Sequence, residues 1–188
     1  MRNLVLVFSF LLASAGIACP SSVVLAAAGT GQLTVRVTDH REAIGDFKSL
    51  DVGIAGIRIK QSQGLKFYRS GWLDLTPQLN QIDLTQYTGS RSALVFNANV
   101  PAGEFEGFEL KLSRIGGVLK NGQAAPRLKN ALGPIVLRFT VSPAVTTLIV
   151  LDLVVLDLRD HAPRGYELQL KGYEVQQDGK LVEKVPPG

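Results

Sequence analysis

Cysteine, methionine and tryptophan occur once each in the 188 residues, and histidine only twice. With Cys19 the sole thiol, no intrachain disulfide and no cysteine-based zinc site can form. His40 and His161 leave little material for imidazole catalysis or a histidine-rich metal centre. Neither sign of charge dominates. Twenty basic residues against 16 acidic give a net charge of +4, without the concentrated basic face of a dedicated nucleic-acid binder, so no nucleic-acid partner is expected. An apolar period of 3.6 is also missing, so helices should be few and short, with 40–48 and 76–88 the places for a turn. No internal repeat, low-complexity linker or second domain boundary breaks the chain.

The N-terminus carries the clearest positive signal. Arg2 supplies a charge, Leu4 to Ala18 an apolar run, and Ala26-Ala27-Ala28 a small-residue cleavage site. That apolar run is about fifteen residues long, where a membrane-spanning helix needs roughly 20. Residues 1–28 therefore read as a cleavable signal peptide and 29–188 as one exported domain, periplasmic, cell-surface or extracellular. Cys19 offers a second reading as a lipidation site, although Gly16-Ile17-Ala18 lacks the leucine usual before such a cysteine. An uncleaved N-terminal anchor is a third. Membrane contact is expected only through this segment or its lipid.

From Gly31 the chain alternates in twos. Leu33, Val35 and Val37 interleave with Thr34, Arg36 and Thr38, the pattern of a strand with one wet face. The parity changes between Ile54 and Ile57, so a β-bulge is expected at Ala55-Gly56. A further register shift is expected near Gly107, after a strand from Ala93 to Val100 that Pro101-Ala102-Gly103 ends. Val145 to Leu158 is apolar on both parities, interrupted by Asp152 and Asp157. It should be a central strand covered on both faces, or one whose outer face meets a partner. Asp178-Gly179 between two strand-like runs is a hairpin signal. The fold class that follows is all-β: a single antiparallel β-sandwich of about eight or nine strands.

Few residues carry chemistry. His40 and His161 each follow an aspartate and read as solvated loop histidines; no nucleophile elbow accompanies them. Glu104, Glu106 and Glu109 read as a solvent face rather than a hydrolytic pair. Gly116-Gly117 and Asn121-Gly122 read as turns. Asp39, Asp46 and Asp51 around one connection, with Asp157 and Asp160 elsewhere, are the only material for a calcium ion; no other metal and no cofactor is implied. Arg114, Lys120, Arg127 and Lys129 follow one another without an acidic residue between, a candidate polyanion-binding loop. Trp72, Tyr68 and Tyr87 could form a sugar-stacking platform, with a core position the plainer reading of Trp72.

Four segments resemble a known family. They are Gly31-Gln32-Leu33-Thr34-Val35-Arg36-Val37-Thr38-Asp39, Ser70-Gly71-Trp72-Leu73-Asp74-Leu75, Val100-Pro101-Ala102-Gly103-Glu104-Phe105, and Thr146 to Asp152. In order and spacing, over roughly 31–175, the chain resembles the exported domain of unknown function 4382 family. The resemblance implies a secreted or lipid-anchored envelope protein with a prealbumin- or immunoglobulin-like sandwich, and it supplies no catalytic residues. Family members often carry an acidic pair in the late strand, whereas here Leu153-Val154 follow Asp152. The function expected is non-catalytic: binding or scaffolding at the cell envelope, with an envelope protein or a surface glycan as partner. A subunit of a surface or fibre assembly, pairing strands with its neighbours, is the alternative, and an extracytoplasmic hydrolase stands behind both.

Overall fold

The computed structural model describes residues 29–62, 71–125, 127–160 and 164–185. The expected signal peptide with Cys19, and also Tyr68 and His161, lie outside them. Eleven strands form two sheets: β1 (Thr30–Asp39), β2 (Phe47–Gln61), β3 (Trp72–Leu75), β4 (Gln81–Asp83), β5 (Ala93–Pro101), β6 (Gly103–Leu119), β7 (Leu128–Asn130), β8 (Phe139–Val141), β9 (Thr146–Asp157), β10 (Tyr166–Gln177) and β11 (Lys180–Val185). The larger sheet runs β11-β10-β9-β1-β5, with β7 also against β10; the smaller runs β3-β2-β6-β8, with β4 also against β2. The only helical pieces among the described residues are 3-10 turns at Ala43–Asp46 and Leu84–Gln86, inside the two stretches expected to hold one.

The alternation of β1 does what its pattern requires. Leu33, Val35 and Val37 are fully buried while Thr34, Arg36 and Thr38 face outward. They join Ile149, Leu151 and Leu153 of β9 against Leu50, Ile57, Ile59, Phe105 and Phe108 of the smaller sheet, in one apolar core. Two expected irregularities are present. Ile54 pairs with Leu112 and Gly56 with Lys111, so Ala55 is the extra residue of a bulge. Lys60 pairs with Gly107 and Gln61 with Phe105, which places the second shift at Glu106. The β10–β11 hairpin turns on Asp178 and Gly179, both at positive φ (46° and 77°), the combination that matches strand twist in a two-residue loop.

Two expectations need correcting. Among the described residues the strands number eleven rather than eight or nine, because β4, β7 and β8 are three-residue pieces too short to show a period. The larger sheet is mixed rather than antiparallel: β1 runs parallel to β9, from Gln32 beside Thr146 to Asp39 beside Leu153, and β7 runs parallel to β10. Strand β9 is central, but only its inner face is sealed. Of its outward residues Val154 is buried, whereas Leu148, Val150 and Leu156 are half-buried.

Gly116 and Gly117 are also not a turn; both lie inside β6, opposite Asp51 and Leu50. A Cβ at Gly117 would sit 2.6 Å from a Phe47 ring carbon, and Phe47 is itself held edge-on by Tyr166 at 4.8 Å. At Gly116 the same atom would meet open space. Gly117→Ala is therefore expected to cost about 1–3 kcal/mol, through overpacking, and Gly116→Ala close to nothing. Urea midpoints of the two variants, at unchanged slope, check this pair.

Candidate functional site

Strand β1 ends where β9 still runs beside it, and that offset gathers the polar groups of the larger sheet. Thr38 lies beside Asp152, and the His40 N–H donates to the Leu153 carbonyl at 2.8 Å, carrying the chain one residue further along β9. His40 is thereby set beside Asp152, its Nδ1 2.9 Å from Oδ2. A carboxylate can only accept, so Nδ1 carries the proton and donates. On the other side of Asp152 the β10 partner is Gly172, which adds no side chain to the outer face.

Asp39 is held more tightly. Its N–H donates to the Tyr87 carbonyl at 2.8 Å, and its Oδ1 accepts the Arg41 N–H at 2.7 Å, which turns the chain through Arg41 at φ 70°. The Arg41 guanidinium then lies across Gly89, in space that any larger residue there would need. The aspartate is only 2% exposed, and its Oδ2 has no hydrogen-bond partner among the described residues. Burial pushes the carboxyl up to about 6, assisted by the charge of Asp152 and opposed by the Arg41 N–H. An ionised, half-satisfied carboxylate in the core wall is costly unless something compensates it.

These residues line a cleft of about 320 Å³ that crosses β1, β9, β10 and β11, with Tyr173, Glu174 and Lys184 on its far side. Glu174 and Lys184 form an ion pair there. The cleft thus offers the Asp152 carboxylate, an imidazole oriented by it, and a guanidinium, whereas Asp39 continues the inward parity of β1 with its Oδ2 sealed from solvent. His40 is half-buried and paired, not the solvated loop histidine that its sequence context implies. Its partner lies 112 residues away in sequence, and only the parallel pairing joins them.

A second polar cluster lies a few residues further along β9, at Asp157 and Tyr166. The Tyr166 hydroxyl donates to Asp46 at 2.9 Å, and Arg159 bridges Asp46 and Asp157 while its guanidinium lies 5.2 Å from the Tyr166 ring centre. Burial, and then the bond to Asp46, push the Tyr166 hydroxyl up to about 12. The Asp46 carboxylate joins Arg159 and Tyr166, so the cluster reads as a fastening between the 3-10 turn at Ala43–Asp46 and β10.

The other expected site residues are dispersed. Arg114 is exposed on β6, Lys120 stands just past its end by Asp46, Arg127 precedes β7, and Lys129 in β7 is paired with Glu167 at 2.9 Å. Asp39, Asp46 and Asp51 do not converge: the first lines the cleft, the second binds Tyr166, and the third accepts from Gln81. Among the described residues no three histidine, cysteine, aspartate or glutamate groups are placed to hold a metal ion. Glu106 and Glu109 pair with Lys60 and Arg58, and Glu104 is exposed. Trp72 is half-buried, with Arg58 4.9 Å above its ring, rather than a core residue.

The family model described as domain of unknown function (DUF4382) matches residues 30–169, from the first residue of β1 into β10. The chain belongs to this family. The DUF4382 match covers roughly three quarters of the chain, including Asp39, His40 and Asp152, and stops short of Glu174 and Lys184. No curated protein and no solved structure gives a significant match to the chain.

Proposed function

We propose that this is an exported, non-catalytic β-sandwich domain that binds or scaffolds a protein at the cell envelope, through the free edge of its larger sheet. The observation that carries this reading is β11. Among the described residues it pairs only with β10, and it exposes Leu181 and Val182 at 57% and 60%. An open strand edge bearing apolar side chains is a ready template for an added strand. Val182 is the extra residue of a bulge, since Glu183 pairs with Val175 and Leu181 with Gln176. It also lines a groove of about 450 Å³ that reaches Phe105 and Phe139. The leader-like pattern of residues 1–28 supports export and an envelope location.

The test is affinity capture from the solubilised envelope, comparing the parent protein with the double variant Leu181→Glu, Val182→Glu. A stoichiometric protein retained by the parent and lost by the variant is expected. Both positions are exposed, so stability should move by no more than about 0.5 kcal/mol for each. Capture of the same protein by both would remove β11 from the reading. The free edge also favours a subunit that pairs with its own copies; concentration-dependent oligomers abolished by the same double variant would select it. Retention of a polysaccharide instead would move attention to Arg114, Lys120, Arg127 and Lys129.

A further inference from the structure

We propose that the end of β1 is a proton-operated clasp: the 40–46 and 84–92 connections close on it while Asp39 is a neutral acid and loosen when Asp39 becomes a carboxylate. This goes beyond the reading of the β11 edge and does not rest on it. The starting point is the direction of the side chain. Asp39 continues the inward parity of Leu33, Val35 and Val37 and pairs with buried Leu153, while Thr38 and Asp152 share the outward face. Its Oδ2 is sealed from solvent and has no hydrogen-bond partner among the described residues. Buried polar groups are ordinarily satisfied, so an orphaned carboxyl oxygen at such a place asks for a reason.

Both connections are attached at this residue. The Asp39 N–H donates to the Tyr87 carbonyl at 2.8 Å, and Thr88 lies beside Asp39 in a parallel bridge. The neighbouring Thr38 hydroxyl is 3.0 Å from the Tyr87 carbonyl and 2.9 Å from that of Arg91. On the other side Asp39 Oδ1 accepts the Arg41 N–H at 2.7 Å, and the Arg41 guanidinium lies across Gly89, which ties one connection to the other. Each connection also lends the core a side chain from its 3-10 turn, Ile44 from one and Leu84 from the other. Water reaches Asp39 only when these ties part.

Neutral, the closed side chain leaves a hydrogen bond unmade; ionised, it leaves a buried charge with a single donor, which costs more. The surrounding charges do little to relieve it. Asp152 on β9 and Glu42 in the 40–46 connection disfavour the carboxylate, and His40 favours it. His40 is itself paired with Asp152, and Glu42 with Lys171 of β10. The 84–92 connection meets β1 through the main-chain carbonyls of Tyr87 and Arg91. Burial is the largest cause, and it carries the carboxyl from 3.8 up to about 6. The closed form therefore holds the proton more tightly than the open one. Closure is strongest below 3.8 and is lost progressively as pH rises through 6.

Hydrogen exchange of the purified protein tests the proposal, read by mass spectrometry on peptides from 38–46 and 84–92 and corrected for the intrinsic pH dependence of amide exchange. From pH 5 to pH 8 the open population of these segments should rise about tenfold, the ratio required by a carboxyl at 3.8 when open and about 6 when closed. Strands β2 and β6 should remain far better protected at both pH values, because a local opening leaves them paired. Asp39→Asn should abolish the rise and keep the segments closed. Histidine side chains titrate near neutrality, so His40→Gln is the second variant, and it should retain the rise. The proposal is overturned if 38–46 and 84–92 are as protected as β2 and β6, since only whole-domain unfolding would then expose Asp39. It is overturned equally if the rise persists in Asp39→Asn or vanishes in His40→Gln.

Discussion

Asp39→Asn is expected to stabilise the protein at pH 8 by about 2–3 kcal/mol while leaving its stability at pH 3.5 nearly unchanged. The sign follows from the direction of the shift. The carboxyl is raised from 3.8 to about 6 in the folded state, so the folded chain binds the proton more tightly than the unfolded one. That contribution is fully present below 3.8 and is lost as pH rises through 6. Two units of displacement correspond to about 3 kcal/mol at full loss. Asparagine keeps an oxygen for the Arg41 N–H and carries no charge, so this part of the pH dependence disappears. Urea denaturation of both proteins at pH 3.5 and 8 reads the effect as a difference of differences. Parallel pH profiles would mean that Asp39 is already compensated in the folded protein.

Phe105→Ala should cost about 3–5 kcal/mol, lowering the melting temperature by roughly 10 °C. Phe105 is 1% exposed and stacked on Phe139, with ring centres 5.0 Å apart and planes 13° from parallel. Its removal leaves a cavity beneath β8, a three-residue strand with little else to hold it to β6. Val136, 80% exposed in the approach to β8, provides the contrast: Val136→Ala should stay within about 0.5 kcal/mol. A loss at Phe105 below about 1.5 kcal/mol would show that the site collapses around the gap.

Legibility in the sequence followed the range of the interaction. The alternation of β1, the bulge at Ala55, the shift near Gly107 and the Asp178-Gly179 turn are local, and local pattern revealed them. The mixed sheet was hidden because strand direction leaves no trace in a period of two. The same blindness concealed the cleft. Asp39-His40 looked like a polar strand end and Asp152 like an interruption in an apolar run, and only the register of β9 beside β1 makes them neighbours. The four cations between Arg114 and Lys129 show the converse error: closeness in sequence did not place them together, because the chain passes from β6 in one sheet to β7 in the other.

The position of β1 sets a condition on when this domain can form. Its first strand has β5 on one side and β9 on the other, and the β9 pairing spans more than a hundred residues, from Gln32 to Thr146. Closing so long a loop carries an entropic cost that grows with its length, and pairings of this kind make folding slow. As the ribosome releases the chain, β1 emerges early and waits for β9, which lies in the last quarter of the sequence. Until then the larger sheet is missing its middle. A domain organised this way completes its core only after nearly all of the chain has been made.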